Sequence, residues 1–186
     1  MSHPLLDPSS RVEPISAWSL LLSSSSSPSR ITTFSKSLDS LLDGGVPLGS
    51  VTEICGAPGI GKTQLSIQLA VNALIPEVFE GVGGKIDENP AKDHRPFVYV
   101  FDTEGSFVPQ RIFEIAEATV GHFKALIDRL DPDEDQEAIE QANAMNVTEF
   151  CDKILISRCL SLEELLAGWH ELMSMMLTSR LCYCFT

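Results

Sequence analysis

Basic residues are scarce: 13 Lys and Arg stand against 26 Asp and Glu, a formal net charge of -13 over 186 residues. So acidic a chain excludes a protein that wraps nucleic acid or coats an anionic membrane through bulk charge. Any contact with DNA must be local. Long apolar runs are also missing. None approaches the roughly 20 residues needed to cross a bilayer, and the stretch 17–22 breaks off into serines. Paired-cysteine spacing is absent too. Cys55, Cys151, Cys159, Cys182 and Cys184 are odd in number and show no CxxC. That pattern excludes a disulfide framework or a zinc site of the usual spacing, and it points to a reducing compartment with buried or incidental thiols. The start of the chain has no positive cluster, carries Asp7 and Glu13, and has Arg11 as its one strong base before Arg30. A cleaved leader is not expected there.

What is present, 44% hydrophobic and 21% charged residues, suits one globular domain with a real core. Residues 1–30 read as a tail, with Pro4, Pro8, Pro14, Pro28 and the serine run 23–27. Such a segment buries too little to offset its ordering entropy, beyond a short helix around 16–22. The compact domain spans 31–186, and in it strand-like and helix-like blocks alternate, which calls for a parallel sheet with helices on its faces.

The first strand is expected at 51–55 and its helix at 62–74, where Leu65, Leu69 and Ala73 recur at every fourth position and Pro76 ends the run. The second strand is FVYVF at 97–101, followed by a helix from Pro109 with Ile112, Ile115, Ala116 and Val120 inside. The third is 154–157, followed by a helix whose Ser161 and Glu164 have capping-box spacing. Leu162, Leu165, Leu166, Trp169 and Leu172 are expected to face inward. The polar stretches 81–95 and 128–140 read as solvated loops or helix faces.

The most informative segment is Gly56-Ala57-Pro58-Gly59-Ile60-Gly61-Lys62-Thr63, a full match to GxxxxGK[ST] between a strand and an amphipathic helix. Glycines let the backbone turn its N–H groups onto phosphate oxygens. Lys62 supplies a charge for the β- and γ-phosphates, Thr63 offers its hydroxyl to Mg2+, and the helix presents its positive end. A nucleoside triphosphate with Mg2+ is the ligand this implies.

A second group, Asp102-Thr103-Glu104-Gly105-Ser106-Phe107, follows the next strand, where an acid in an open α/β sheet can face the phosphate loop. Glu104 is the candidate to orient or deprotonate the attacking water, while Asp102 either orders the turn or reaches the metal shell. Strand-end acids satisfied by backbone N–H groups are the competing reading.

TEICGAPGIGKTQLSIQLA at 52–70 and FDTEGSFVPQR at 101–111 resemble the ATPase core of the RecA recombinase family, in particular its eukaryotic strand-exchange recombinases and their paralogues. Residues 37–59, 75–85 and 161–168 extend the likeness, which covers about 17–177. The resemblance implies an α/β P-loop NTPase with a RecA-like core, ATP binding and DNA-dependent ATPase activity. It also implies double-strand break repair and meiotic recombination, with other recombinase paralogues as partners in the nucleus. By position, Gly56, Gly59, Gly61, Lys62 and Thr63 match the family's Walker A loop, Glu104 its catalytic glutamate, and Arg111 a residue that packs on adenine. A solvent-facing arginine in a helix's first turn is the other reading of Arg111.

The departures shape the expectation. The amino-terminal DNA-binding domain of the family is not matched, and 86–94 looks inserted. After the Ser161 helix the family continues into a strand ending in the Walker B aspartate and then into DNA-binding loops, whereas LTSRLCYCFT at 177–186 carries no aspartate. The core is therefore expected to be incomplete at its C-terminus, as in an abbreviated gene model or alternative transcript. Residues 181–185 imitate the strand, hydrolysis is weak or absent, and DNA binding is weak. A noncatalytic interaction module that competes for paralogue partners is the alternative.

Overall fold

The computed structural model describes residues 30–87, 96–131, 135–178 and 182–185. The expected tail, its short helix and most of the inserted stretch lie outside the described residues. A small antiparallel pair, β1 (Arg30–Ile31) and β2 (Val46–Pro47), encloses helix α1 (Lys36–Leu41). Next come α2 (Lys62–Asn72) and a 3-10 turn at Glu77–Phe79, then β3 (Phe97–Asp102) and α3 (Pro109–Ile127). The chain continues through α4 (Gln136–Ala144), α5 (Val147–Asp152), β4 (Ile154–Arg158), α6 (Leu162–Thr178) and β5 (Cys182–Phe185).

Strands β3, β4 and β5 form a parallel sheet in the order β4-β3-β5. Val98 pairs with Ile154, and Asp102 with Arg158, on one side; Phe97 pairs with Cys182, and Val100 with Phe185, on the other. Parallel pairing along both edges explains the unbroken apolar run of β3, because both of its faces are covered. Val98 and Val100 face a core built with Ile67, Val71, Ile112, Val120 and Phe150 of α2, α3 and α5. Tyr99 and Phe101 face the opposite layer with Leu172 of α6. Burial also pushes the Tyr99 hydroxyl above its ordinary pKa.

Two of the sequence expectations need correction. Residues 51–55 do not form a strand. Val51 is 100% exposed and Ile54 alone of the five packs on the core. A strand needs a ladder partner, and among the described residues this segment finds none, so its apolar residues are not drawn in. In α6, Leu165 and Leu172 face the sheet and Trp169, though 52% exposed, stacks on Phe101 with ring centroids 6.0 Å apart, but Leu162 and Leu166 are 68% and 60% exposed. Only one stripe of that helix meets Phe101. It comes so close at Gly168 that an added Cβ would lie 2.9 Å from the Phe101 ring. Among the cysteines, Cys159 is buried and Cys151 partly so, whereas Cys55 is exposed beside the glycine loop.

The capping expectation holds. Glu164 donates its N–H to the Ser161 hydroxyl at 3.2 Å, and its carboxylate accepts from the Leu160 N–H at 2.6 Å.

Buried polar groups fasten the periphery to the core. The Asn72 amide donates to the Thr32 carbonyl at 2.6 Å and accepts from Gln68 at 2.8 Å, tying the β1 segment to α2. Gln141 of α4 accepts from the Ile86 N–H at 2.7 Å and donates to its carbonyl at 3.1 Å. Removing one partner of such a pair leaves the other buried and unsatisfied. Asn72→Ala is therefore expected to lower unfolding free energy by about 2 kcal/mol, read from urea denaturation.

Candidate functional site

The glycine loop runs from the exposed 51–55 segment into α2. Gly59 and Gly61 have φ of +79° and +104°, a region that L side chains rarely adopt, so the loop path depends on glycine at both positions. Gly61 also caps α2 in the left-handed conformation. The loop closes with the Ile60 N–H on the Ala57 carbonyl at 3.3 Å. Lys62 opens α2, and its ammonium donates to the Gly56 and Ala57 carbonyls at 3.0 and 3.2 Å, which holds the charge over the loop.

A cleft of about 210 Å³ lies against this loop. Lys62, Thr63 and Ser66 line one side, and Asp102, Thr103, Glu104 and Ser106 the other, over Ile54, Phe101 and Phe107. Two groups far apart in sequence thus face each other, because α2 lies on the sheet face and β3 ends at its rim. The donor set suits a phosphate chain: backbone N–H groups at a helix N-terminus, an ammonium within reach and a hydroxyl in the first helical turn. Side chain-free positions at Gly59 and Gly61 leave space for it, since no atom lies within 4 Å of an added Cβ.

Asp102 does not join Thr63 as an open metal ligand. Its Oδ1 accepts the Ser106 N–H at 3.0 Å and its Oδ2 the Phe107 N–H at 3.3 Å, so it orders the turn. Glu104 stands exposed on the excursion between these anchors.

Arg111, in the first turn of α3, does not line the cleft. Its Nε donates to Gln64 of α2 at 2.8 Å and its Nη1 to Glu114 at 2.9 Å, so it bridges the two helices next to the loop. Sequence reasoning missed Gln64 and Arg158, whose guanidinium lies 3.8 Å from Asp102. The i,i+3 spacing of Arg111 and Glu114 was legible; the pairings across elements carried no local signal.

A glycine loop at a helix N-terminus, faced by the carboxyl end of a parallel strand, defines an α/β domain with the RecA-like P-loop fold. A family model described as Rad51 matches residues 26–182, and the chain belongs to that family. It is 40% identical over 137 residues to a protein named DNA repair protein RAD51 homolog 3 from Cricetulus griseus, covering 74% of this chain and 33% of that protein. The namesake from Dictyostelium discoideum is 42% identical over 113 residues, 61% of this chain and 26% of that protein. DNA repair protein RAD51 homolog 2 from Mus musculus is 42% identical over 92 residues, 50% of this chain and 23% of that protein. The chain thus spans a third or less of the length of these relatives. The expected likeness to recombinase paralogues and the RecA-like fold class are borne out.

Hydrogen bonds from Arg111 and then Gln110 hold the Glu114 carboxyl below the usual carboxylate pKa. In Arg111→Ala the Glu114 titration midpoint is expected to move up toward the ordinary range, as read by NMR.

Proposed function

We propose that the chain binds Mg·ATP at the Gly56–Thr63 loop and serves DNA repair by homologous recombination, including double-strand break repair and meiotic recombination, in the nucleus. The observation that supports this reading is the shared cleft, with Lys62 and Thr63 on one wall and Glu104 on the other. Loop N–H groups and the α2 dipole hold the phosphates, with Lys62 on the β- and γ-oxygens. Thr63 is the residue that would hold Mg2+, whose role when bound is to neutralise phosphate charge. Glu104 orients or deprotonates water on the γ-phosphate side.

Turnover by this chain is weak in this reading. The one other acid on the cleft, Asp102, commits both oxygens to backbone N–H groups, so no second carboxylate joins Thr63 at the metal among the described residues. DNA contact is weak as well, given the net charge of -13.

Assembly with other recombinase paralogues completes the proposal. Leu162, Leu166 and Met173 recur at helical spacing on α6 and are exposed, and β4 is an edge strand of its sheet among the described residues. An exposed apolar stripe and an open strand edge each suit a partner chain.

A thermal melt tests the site. At nucleotide about 100-fold above Kd, the wild type is expected to gain about 5 °C with Mg·ATP and Lys62→Ala nothing. An equal gain in Lys62→Ala would remove the assignment. For assembly, Leu162→Glu with Leu166→Glu is expected to abolish co-purification with a second Rad51-family chain while keeping the Mg·ATP shift. Undiminished capture would take α6 out of the contact.

A further inference from the structure

Glu104 has no hydrogen-bond or ion-pair partner among the described residues. Its place on the cleft wall is therefore set by the backbone turn that carries it. That turn hangs from Asp102 at the end of β3 and from buried Phe107, and everything between them is exposed. The Asp102 side chain is 2% exposed, a position where a carboxylate is costly unless its charge is met. Three groups meet it: the N–H of Ser106 at 3.0 Å, the N–H of Phe107 at 3.3 Å, and Nε of Arg158 at 3.8 Å. Arg158 stands opposite Asp102 in the β3–β4 register, and the Asp102 carbonyl accepts the Cys159 N–H at 3.1 Å. The ends of both strands are thus fastened where the turn departs. Hydrogen bonds to an ionised acceptor are about twice as strong as neutral ones, which suits a fixed turn rather than a loose one.

We infer that Asp102, held by Arg158, is the positioning residue that fixes Glu104 opposite Lys62 and Thr63. The inference rests on the nucleotide-binding reading of that cleft. Asp102 acts through the Ser106 and Phe107 amides and touches no reacting atom. Arg158, which is 60% exposed at its side chain, supplies the counter-charge from the neighbouring strand.

Two readouts on the full chain test this. Asp102→Asn keeps the side-chain shape but replaces one acceptor oxygen with an NH2 group that faces a backbone N–H. Amide exchange at Ser106 and Phe107, followed by NMR, is expected to speed up about tenfold or more in that variant. A smaller increase is expected in Arg158→Gln, which sits at an exposed position and keeps the inference testable if Asp102→Asn does not fold.

The second readout is the ratio of Mg·ATP to Mg·ADP affinity by calorimetry. Glu104→Gln removes a negative charge from the γ-phosphate side and is expected to raise that ratio. Asp102→Asn is expected to raise it by the same means, and the double variant to add nothing further. Unchanged amide exchange in both single variants would overturn the inference, as would effects on the ratio that multiply in the double variant. A wild type that binds neither nucleotide would instead remove the phosphate-site reading, and amide exchange alone would then decide whether Asp102 holds the turn.

Discussion

Strand β3 is hydrogen-bonded along both edges and buried on both faces, and the helices on either side of the sheet pack on it. Its odd and even side chains reach different layers, Val98 and Val100 toward α2 and α3, Tyr99 and Phe101 toward α6. A strand covered on all sides cannot slip by one residue without moving every side chain to the wrong layer. Its carboxyl end is therefore fixed in space, and the turn at 103–106 departs from a rigid point.

The cleft follows from that constraint. Helix α2 packs on one face of the sheet through Ile67, Leu69, Ala70 and Val71, and this sets the direction in which its N-terminus points. Lys62 and Thr63 then stand across from Glu104 with no direct bond between the two walls. The arrangement brings a positive helix end and an ammonium to face a carboxylate over a space that suits phosphate. At the side, Arg111 links α2 to α3 through Gln64, so the helix carrying the loop is tied to the helix that follows the Glu104 turn.

Much of this was legible. The recurrence at every fourth position in α2 and the start of α3 at Pro109 came from local rules, and so did the Ser161 cap and the apolar run of β3. The glycine loop was legible because its chemistry demands particular residues at fixed spacing. The errors share one cause. VTEIC reads as a strand by composition, yet a strand exists only when another supplies its hydrogen bonds, and the sheet closes around β3 without it. The apolar residues of α6 exceed what one packed stripe can cover, and periodicity does not say which stripe meets Phe101.

The sequence by itself determined the phosphate loop, the helix that follows it, the central strand and the acid after that strand, because each depends on neighbours within about one turn or one strand of chain. Only the tertiary structure decided that Asp102 orders a turn instead of opening toward a metal, that Arg158 and Gln64 belong to the surroundings of the site, and that Asn72 and Gln141 fasten distant segments. Those outcomes rest on pairings between residues separated by up to 56 positions, as with Asp102 and Arg158, and no local preference encodes which donor a buried acceptor will meet.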